Sequence, residues 1–187
     1  DGRLDLFVAR YMDWDFERGA LYCGEPPPGL RAYCHPDNFP GATNILFRQK
    51  VDGTFEDVTE KAGLSDPKGK ALGVAFADFD ADGRLDLAVG TQSAGSRRVA
   101  LLLGNGSRMF RAPAYFGSFE STPTALGVGD FNRDGKLDLA AGGGTNDPPG
   151  ANNLSILLGD GKGGFSPPTY FTVGPAPQSM SVADFNG

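Results

Sequence analysis

The chain has 187 residues, of which 40% are hydrophobic, and its formal net charge is −6 at neutral pH. This composition favours a packed core over disorder, and an acidic chain without a basic stripe argues against a nucleic-acid partner. No apolar run approaches the roughly 18 residues that a membrane helix needs, so we expect no membrane insertion. The 28 glycines and 14 prolines suit many short strands joined by tight turns.

A repeated pattern runs through the chain. The first residues, DGRLDLFVA (1–9), are the second half of a unit that recurs as LGVAFADFDADGRLDLAVG (72–90) and LGVGDFNRDGKLDLAAG (126–142). The segment SMSVADFNG (179–187) begins the unit again. Internal repetition at about 50 residues is typical of the blades of a β-propeller.

Each unit continues with two further apolar runs that end in glycine-containing turns. Examples are RVALLLGNG (98–106) and LSILLGDG (154–161), and no segment shows a sustained helical period. We therefore predict an all-β fold, a β-propeller segment of four-stranded blades with two complete and two partial repeats. A β-sandwich would also have many short strands, but it would not repeat in this way.

We expect the blades to divide the chain as follows: a partial blade at 1–63 with an insertion at 11–43, blades at 72–117 and 124–174, and the start of another at 179–187. A propeller typically closes with 4–8 blades. The remaining blades are therefore expected outside this chain.

The loops between the first and second strands of the units follow the pattern D-x-[DN]-x-D-G-x-x-D. Calcium takes six to eight oxygen ligands, and a glycine permits the sharp turn that brings the last aspartate back. Magnesium prefers fewer protein ligands, and the loops are not EF-hands because Val89 and Ala141 stand where a bidentate glutamate is needed. A solvated acidic turn would explain one copy but not a repeated one. The pattern predicts calcium ligands at Asp78, Asp80, Asp82, Asp86 and the backbone oxygen of Arg84; at Asp130, Asn132, Asp134, Asp138 and the backbone oxygen of Lys136; and, in the partial loops, at Asp1, Asp5, Asp184 and Asn186.

The strand after the first complete loop shows a two-residue alternation. Leu85, Leu87 and Val89 are predicted to share one face of the strand. Ala88 and Gly90 place only small side chains on the other face, which allows close packing between blades. The stretch GDGKGG (159–164) matches a dinucleotide fingerprint, but the FSPPTYFTV that follows cannot open a helix. We predict a hairpin turn there.

The loops, the LDLAVG strand and the LLLGNG and ILLGDGKGGF hairpins resemble FG-GAP/VCBS repeats, the blades of integrin-α-like propellers. More narrowly, YCG (22–24) and YCHPDNFPG (33–41), followed by DGTFEDVTEKAGL (52–64), are similar to bacterial relatives of the cartilage acidic protein family, whose propeller often precedes an ASPIC/UnbV domain. The literal Phe-Gly-Gly-Ala-Pro string is missing.

The resemblance implies an extracellular, cell-surface or periplasmic location and non-catalytic protein recognition or adhesion. It leaves open a carbohydrate-binding propeller, or the scaffold of a secreted enzyme whose active site lies on other blades.

The insertion at 11–43 departs most from the repeat. Cys23 and Cys34 enclose ten residues, and a disulfide between them is the first interpretation. Zinc binding by both cysteines and His35 is the alternative, although it needs another ligand. The aromatic residues Trp14, Tyr22 and Tyr33 either pack the insertion onto a blade edge or bind a protein or glycan partner.

Overall fold

The computed structural model describes residues 2–13, 38–64, 70–93, 96–107, 109–119, 122–143, 153–174 and 177–185. These ranges contain eleven β-strands and no α-helix. Accordingly, no helix within them is long and apolar enough to cross a membrane. The all-β prediction is confirmed.

The strands form three antiparallel sheets in which neighbours along the chain are neighbours in space. The first sheet contains β1 (Leu6–Val8), β2 (Ile45–Gln49) and β3 (Phe55–Asp57). The second contains β4 (Lys70–Ala77), β5 (Asp86–Ser93), β6 (Ser96–Leu102) and β7 (Ala114–Phe116). The third contains β8 (Ala125–Gly129), β9 (Asp138–Gly142), β10 (Leu154–Leu157) and β11 (Thr169–Phe171). Two four-stranded sheets and a three-stranded one are the predicted propeller segment.

The strand register makes the second and third sheets equivalent residue by residue. Ala77 of β4 lies opposite Asp86, and Gly129 of β8 lies opposite Asp138. The register of the β4–β5 pair shifts between Ala71 and Val74, as it does at a β-bulge. From Val74 to Ala77 the pairing is regular.

Successive sheets pack face to face through side chains that alternate along β5. Leu87 and Val89 belong to the core between the first and second sheets, whereas Ala88 belongs to the core between the second and third. The predicted alternation is confirmed for these three residues. It is wrong for Leu85, which is 67% exposed because β5 begins only at Asp86 and leaves Leu85 in the loop.

Three phenylalanines join the second and third sheets. Phe165, in the hairpin between β10 and β11, lies between Phe79 and Phe116 of the second sheet, with edge-to-face ring centroid distances of 5.5 and 5.2 Å. Each such pair contributes about 0.5–1.5 kcal/mol beyond simple burial. A residue in the aspartate loop is therefore held by the neighbouring sheet.

Candidate metal centre

The two complete aspartate loops connect the first and second strands of their sheets, at residues 78–85 and 130–137. In each loop the backbone turns around the carboxylate of the first aspartate, which accepts two backbone hydrogen bonds. Asp78 accepts hydrogen bonds from the backbone N–H groups of Asp82 at 3.0 Å and Gly83 at 2.8 Å. Asp130 accepts the equivalent bonds at 3.1 and 2.8 Å. The two loops thus make the same pair of hydrogen bonds to their opening aspartate.

The backbone of each loop enters the left-handed region twice. Gly83 (φ 82°) and Gly135 (φ 81°) do so at the position where the sequence predicted a sharp turn. Ala81 (φ 57°) and Arg133 (φ 62°) do so as well, although a side chain there costs roughly 1–2 kcal/mol. The same cost at the same position in both loops is offset by the hydrogen bonds to the opening aspartate.

The last aspartate of each loop is fully buried at the start of a strand. The two carboxylate oxygens of Asp86 accept the N–H groups of Phe79 and Gly104, each at 2.8 Å. Asp138 accepts those of Phe131 and Gly159, also each at 2.8 Å. One carboxylate thereby joins its loop, its strand and the next hairpin.

The hairpin bond explains a repeated glycine that the sequence analysis did not single out. A Cβ atom on Gly104 would lie 2.6 Å from the backbone oxygen of Leu85, so in this unit the hairpin approaches the loop more closely than a side chain at that position would allow. The partial first unit makes a corresponding bond, from the N–H of Gln49 to Asp5 at 3.0 Å. The signal in the sequence was the glycine that follows each LLL or ILL run.

Three carboxylates converge at the first loop. Asp78, Asp80 and Asp86 each contribute an oxygen, and these oxygens lie within 4.8 Å of one another. Oδ1 of Asp80 is buried without a hydrogen-bond partner, and the Nη1 atom of Arg111 is 3.9 Å from the other oxygen, Oδ2. An unpaired buried acceptor is costly. Within the described ranges, no other group of three acidic, histidine or cysteine side chains meets this distance criterion.

The electrostatics of this cluster favour a cation. Burial raises the pKa of Asp86, the N–H bonds from Gly104 and Phe79 oppose that rise, and the charges of Asp80 and Asp78 add to it. A divalent ion would stabilise the ionised form of the carboxylates and provide the missing partner of Asp80. The donor set, hard oxygens on a tight loop, fits calcium.

Asp82 and its counterpart in the second loop point to basic neighbours. Asp82 accepts hydrogen bonds from the N–H and Nη1 of Arg84 at 3.0 and 2.9 Å. Asp134 accepts them from the N–H and Nζ of Lys136 at 3.0 and 3.1 Å, and the side-chain bond lowers the pKa of Asp134. Neither carboxylate belongs to the cluster of three.

The second loop has an amide, Asn132, where the first has Asp80, whose Oδ1 has no hydrogen-bond partner. Oδ1 of Asn132 accepts the N–H of Asp134 at 3.0 Å. Asp130 and Asp138 therefore remain as the acidic residues on the side of the loop that corresponds to the cluster.

Several predicted residues lie beyond these two loops. Asp5 and Asp184 are described, and Asp184 lies in the segment that follows the third sheet. The other predicted residues lie outside the described part of the chain: Asp1, Asn186, Cys23, Cys34, Trp14, Tyr22 and Tyr33.

Comparison with known families identifies the repeat. A family model described as FG-GAP-like repeat matches residues 1–89, and one described as FG-GAP repeat matches residues 122–157. Together these matches cover more than half of the chain and include both complete aspartate loops. The chain belongs to the FG-GAP repeat family.

The FG-GAP chain is also similar to three curated proteins, each called cartilage acidic protein 1. It is 33% identical to the Homo sapiens protein over 110 residues, 32% to the Mus musculus protein over 109, and 34% to the Xenopus tropicalis protein over 109. Each match covers 57% of this chain but only 16% of the relative. The narrower resemblance to this family is thus supported over a limited part of the relatives' length.

The FG-GAP assignment agrees with the structure of the GDGKGG stretch. Gly159 bridges to Phe165, Gly161 and Gly163 have positive φ, and the carboxylate of Asp160 accepts the N–H of Gly164 at 2.9 Å. This is a hairpin turn between β10 and β11, as predicted, and no helix follows it in the described residues.

Proposed function

We propose that this FG-GAP segment binds calcium at the first aspartate loop through Asp78, Asp80 and Asp86. The observation that carries the proposal is the buried, unpartnered oxygen of Asp80 within a cluster of three carboxylates. Asp82 and the backbone oxygen of Arg84 are further candidate ligands. When bound, the ion would neutralise the clustered charge and hold the loop against the strand that Asp86 begins.

A second, weaker calcium site is proposed at Asp130, Asn132 and Asp138, with Asp134 and the backbone oxygen of Lys136 as further candidates. Ligand charge is one determinant of calcium affinity. The first loop has three clustered carboxylates, whereas the second has an amide at the position of Asp80. The sites should therefore differ in affinity.

Exchanging the carboxylate at position 80 and the amide at position 132 tests this difference in calcium affinity. Asp80→Asn is expected to weaken calcium binding at the first site by about tenfold or more, and Asn132→Asp to strengthen binding at the second, because each changes one ligand charge. Calorimetric titration of each variant with calcium measures the affinity of both sites. The matched control is Asp160→Asn in the exposed hairpin, which should leave both sites unchanged. Unchanged or tighter binding in Asp80→Asn, or weaker binding in Asn132→Asp, would refute the assignment.

The module as a whole is proposed to act in non-catalytic, extracellular protein recognition. Its family and its relatives suggest a repeat module and not an enzyme. The buried side chains of the sheets already pack in the core, and the carboxylates of the aspartate loops already accept hydrogen bonds from their own backbone. A partner is therefore better recognised by segments that depart from the repeat. The largest such segment is the insertion at 11–43, with Trp14, Tyr22 and Tyr33 as its candidate contact residues.

Excision of the insertion tests where recognition occurs. The chain and a variant with residues 16–41 replaced by a short Gly-Ser linker are applied to arrays of purified extracellular proteins and of glycans. We expect binding to a protein on the array by the parent chain, its loss in the excised variant, and unchanged calcium titration, because the loops lie on other segments. Capture of the same protein at full affinity by the excised variant would place the contact elsewhere. Binding to glycans alone would favour the carbohydrate-binding alternative.

A further inference from the structure

An arginine from the neighbouring hairpin faces the cluster of three carboxylates in the first loop. Nη1 of Arg111 lies 3.9 Å from Oδ2 of Asp80, and the side chains of these two residues are 54% and 11% exposed. The other oxygen of the same carboxylate, Oδ1, is buried and has no hydrogen-bond partner. The carboxylate of Asp80 therefore has a cationic neighbour at one oxygen and an unpartnered second oxygen.

The hairpin between β6 and β7 fixes the position of this arginine. Its turn is closed by the bridge between Gly104 and Phe110, and the N–H of Arg111 donates to the backbone oxygen of Leu103 at 2.8 Å. The N–H of Gly104 also donates to Asp86 of the cluster, at 2.8 Å. The hairpin that binds the last aspartate of the loop thus also carries the arginine.

The corresponding hairpin of the third sheet has a serine at this position. The N–H of Ser166 donates to the backbone oxygen of Leu158 at 2.8 Å, which is the bond that Arg111 makes to Leu103. The hydroxyl of Ser166 accepts the N–H of Leu158 at 3.0 Å and donates to the backbone oxygen of Pro167 at 3.1 Å. This side chain therefore binds within its own hairpin and brings no positive charge to the second loop.

The two loops differ in charge in a compensated way. The first has Asp80 with Arg111 beside it, whereas the second has Asn132 and, in the matching hairpin position, Ser166. The first loop thus has one more carboxylate and one more nearby cation. The other ion pair of the first loop, between Asp82 and Arg84, does not account for this difference, because the second loop has an equivalent pair.

We propose that Arg111 lowers the calcium affinity of the first site and so reduces the advantage that the additional carboxylate gives this site over the second. The inference rests on the proposed calcium function. Without the ion, the guanidinium offsets part of the charge of Asp80; with the ion, two positive groups share one carboxylate and repel each other. Because Arg111 is half exposed, its side chain can turn into solvent, so the repulsion weakens binding without preventing it. The arginine thereby raises the calcium concentration at which the first loop fills.

Calorimetric titration with calcium tests this role. At about 0.1 M salt, Arg111→Gln is expected to tighten binding at the first site by about three- to tenfold, because it removes a positive charge within a Debye length of the ion. Arg111→Lys keeps the charge and should keep the parent affinity within about twofold. Salt at about 1 M should reduce the difference between Arg111→Gln and the parent chain, since it screens the repulsion. The second site should be unchanged in both variants.

Arg98→Gln is the matched control, because it removes the same charge from the same sheet. Arg98 is exposed on β6 and has no ion pair in the described part of the chain. It lies six residues before Gly104, which corresponds to roughly 20 Å along a strand and is beyond the Debye length of about 10 Å at 0.1 M salt. Calcium binding by Arg98→Gln should therefore equal that of the parent chain.

A measurement without calcium examines the contact of Arg111 and Asp80 separately. In chelator at low salt, Arg111→Gln should lower the urea midpoint, because it removes the cation beside three clustered carboxylates. In the Asp80→Asn background the same substitution should have a smaller effect. A midpoint that Arg111→Gln leaves unchanged would show that the arginine does not offset the charge of Asp80, and would overturn the proposal.

The calcium titrations separate failure of this inference from failure of the calcium site. Uptake of calcium with the same affinity in Arg111→Gln and in the parent chain would overturn the role of the arginine and leave the proposed function standing. Equal tightening in Arg111→Gln and Arg111→Lys would overturn it as well, because the effect would then not come from charge. Failure of the parent chain to take up calcium would refute the proposed function and this inference with it.

Discussion

Asp138→Ala is expected to lower the free energy of unfolding by about 3–5 kcal/mol. Asp138 is fully buried and each of its oxygens accepts one backbone N–H, from Phe131 and from Gly159. Hydrogen bonds to a charged group contribute about 1.5–3 kcal/mol each, and the alanine would leave both donors without their acceptor. Urea unfolding in the presence of a chelator measures this loss without any contribution from calcium.

The matched control for this prediction is Asp134→Ala. Asp134 lies in the same loop, but its bonds to Lys136 are exposed to solvent. Exposed charge pairs contribute at most about 1 kcal/mol, so the control should cost much less than Asp138→Ala. Equal losses in the two variants would show that the buried carboxylate does not hold the loop to the hairpin.

Calcium at a hundredfold excess over the dissociation constant is expected to raise the free energy of unfolding by about 2.7 kcal/mol per site, because it binds the folded loop and hardly the unfolded chain. For a protein of this size the first site alone should raise the melting temperature by about 5–10 °C. Differential scanning calorimetry with calcium, and then with excess chelator, measures the shift and its reversal. Magnesium at the same concentration should have a smaller effect.

Asp78→Ala provides the control for the calcium effect. It removes one of the three clustered carboxylates, so the part of the melting shift that belongs to the first site should disappear. The melting curve without calcium will also move, since Asp78 accepts two backbone N–H groups; only the calcium-dependent difference is compared. The same curve with and without chelator for the parent chain would exclude calcium binding.

The sequence by itself determined the repeat, the four strands of each complete unit and the position of the aspartate loops. These features follow from local patterns, because a two-residue alternation reports which side chains share a face of a strand. A glycine at a fixed place in a loop likewise reports a turn, and Gly83 and Gly135 adopt the positive φ that this position suggested. Leu85 shows the limit of such a pattern, since alternation does not mark where the loop ends and the strand begins.

Only the tertiary structure decided which atoms meet. The sequence treated the aspartates of a loop as one ligand set, but Asp82 turns to its neighbour Arg84 while Asp86 binds the N–H of Gly104 in another hairpin. Asp80 is left with a buried oxygen that has no partner. Phe79 and Phe165 come into contact across two sheets. Contacts of this kind depend on how whole sheets stack, and no local period of the sequence encodes the distance between residues on different sheets.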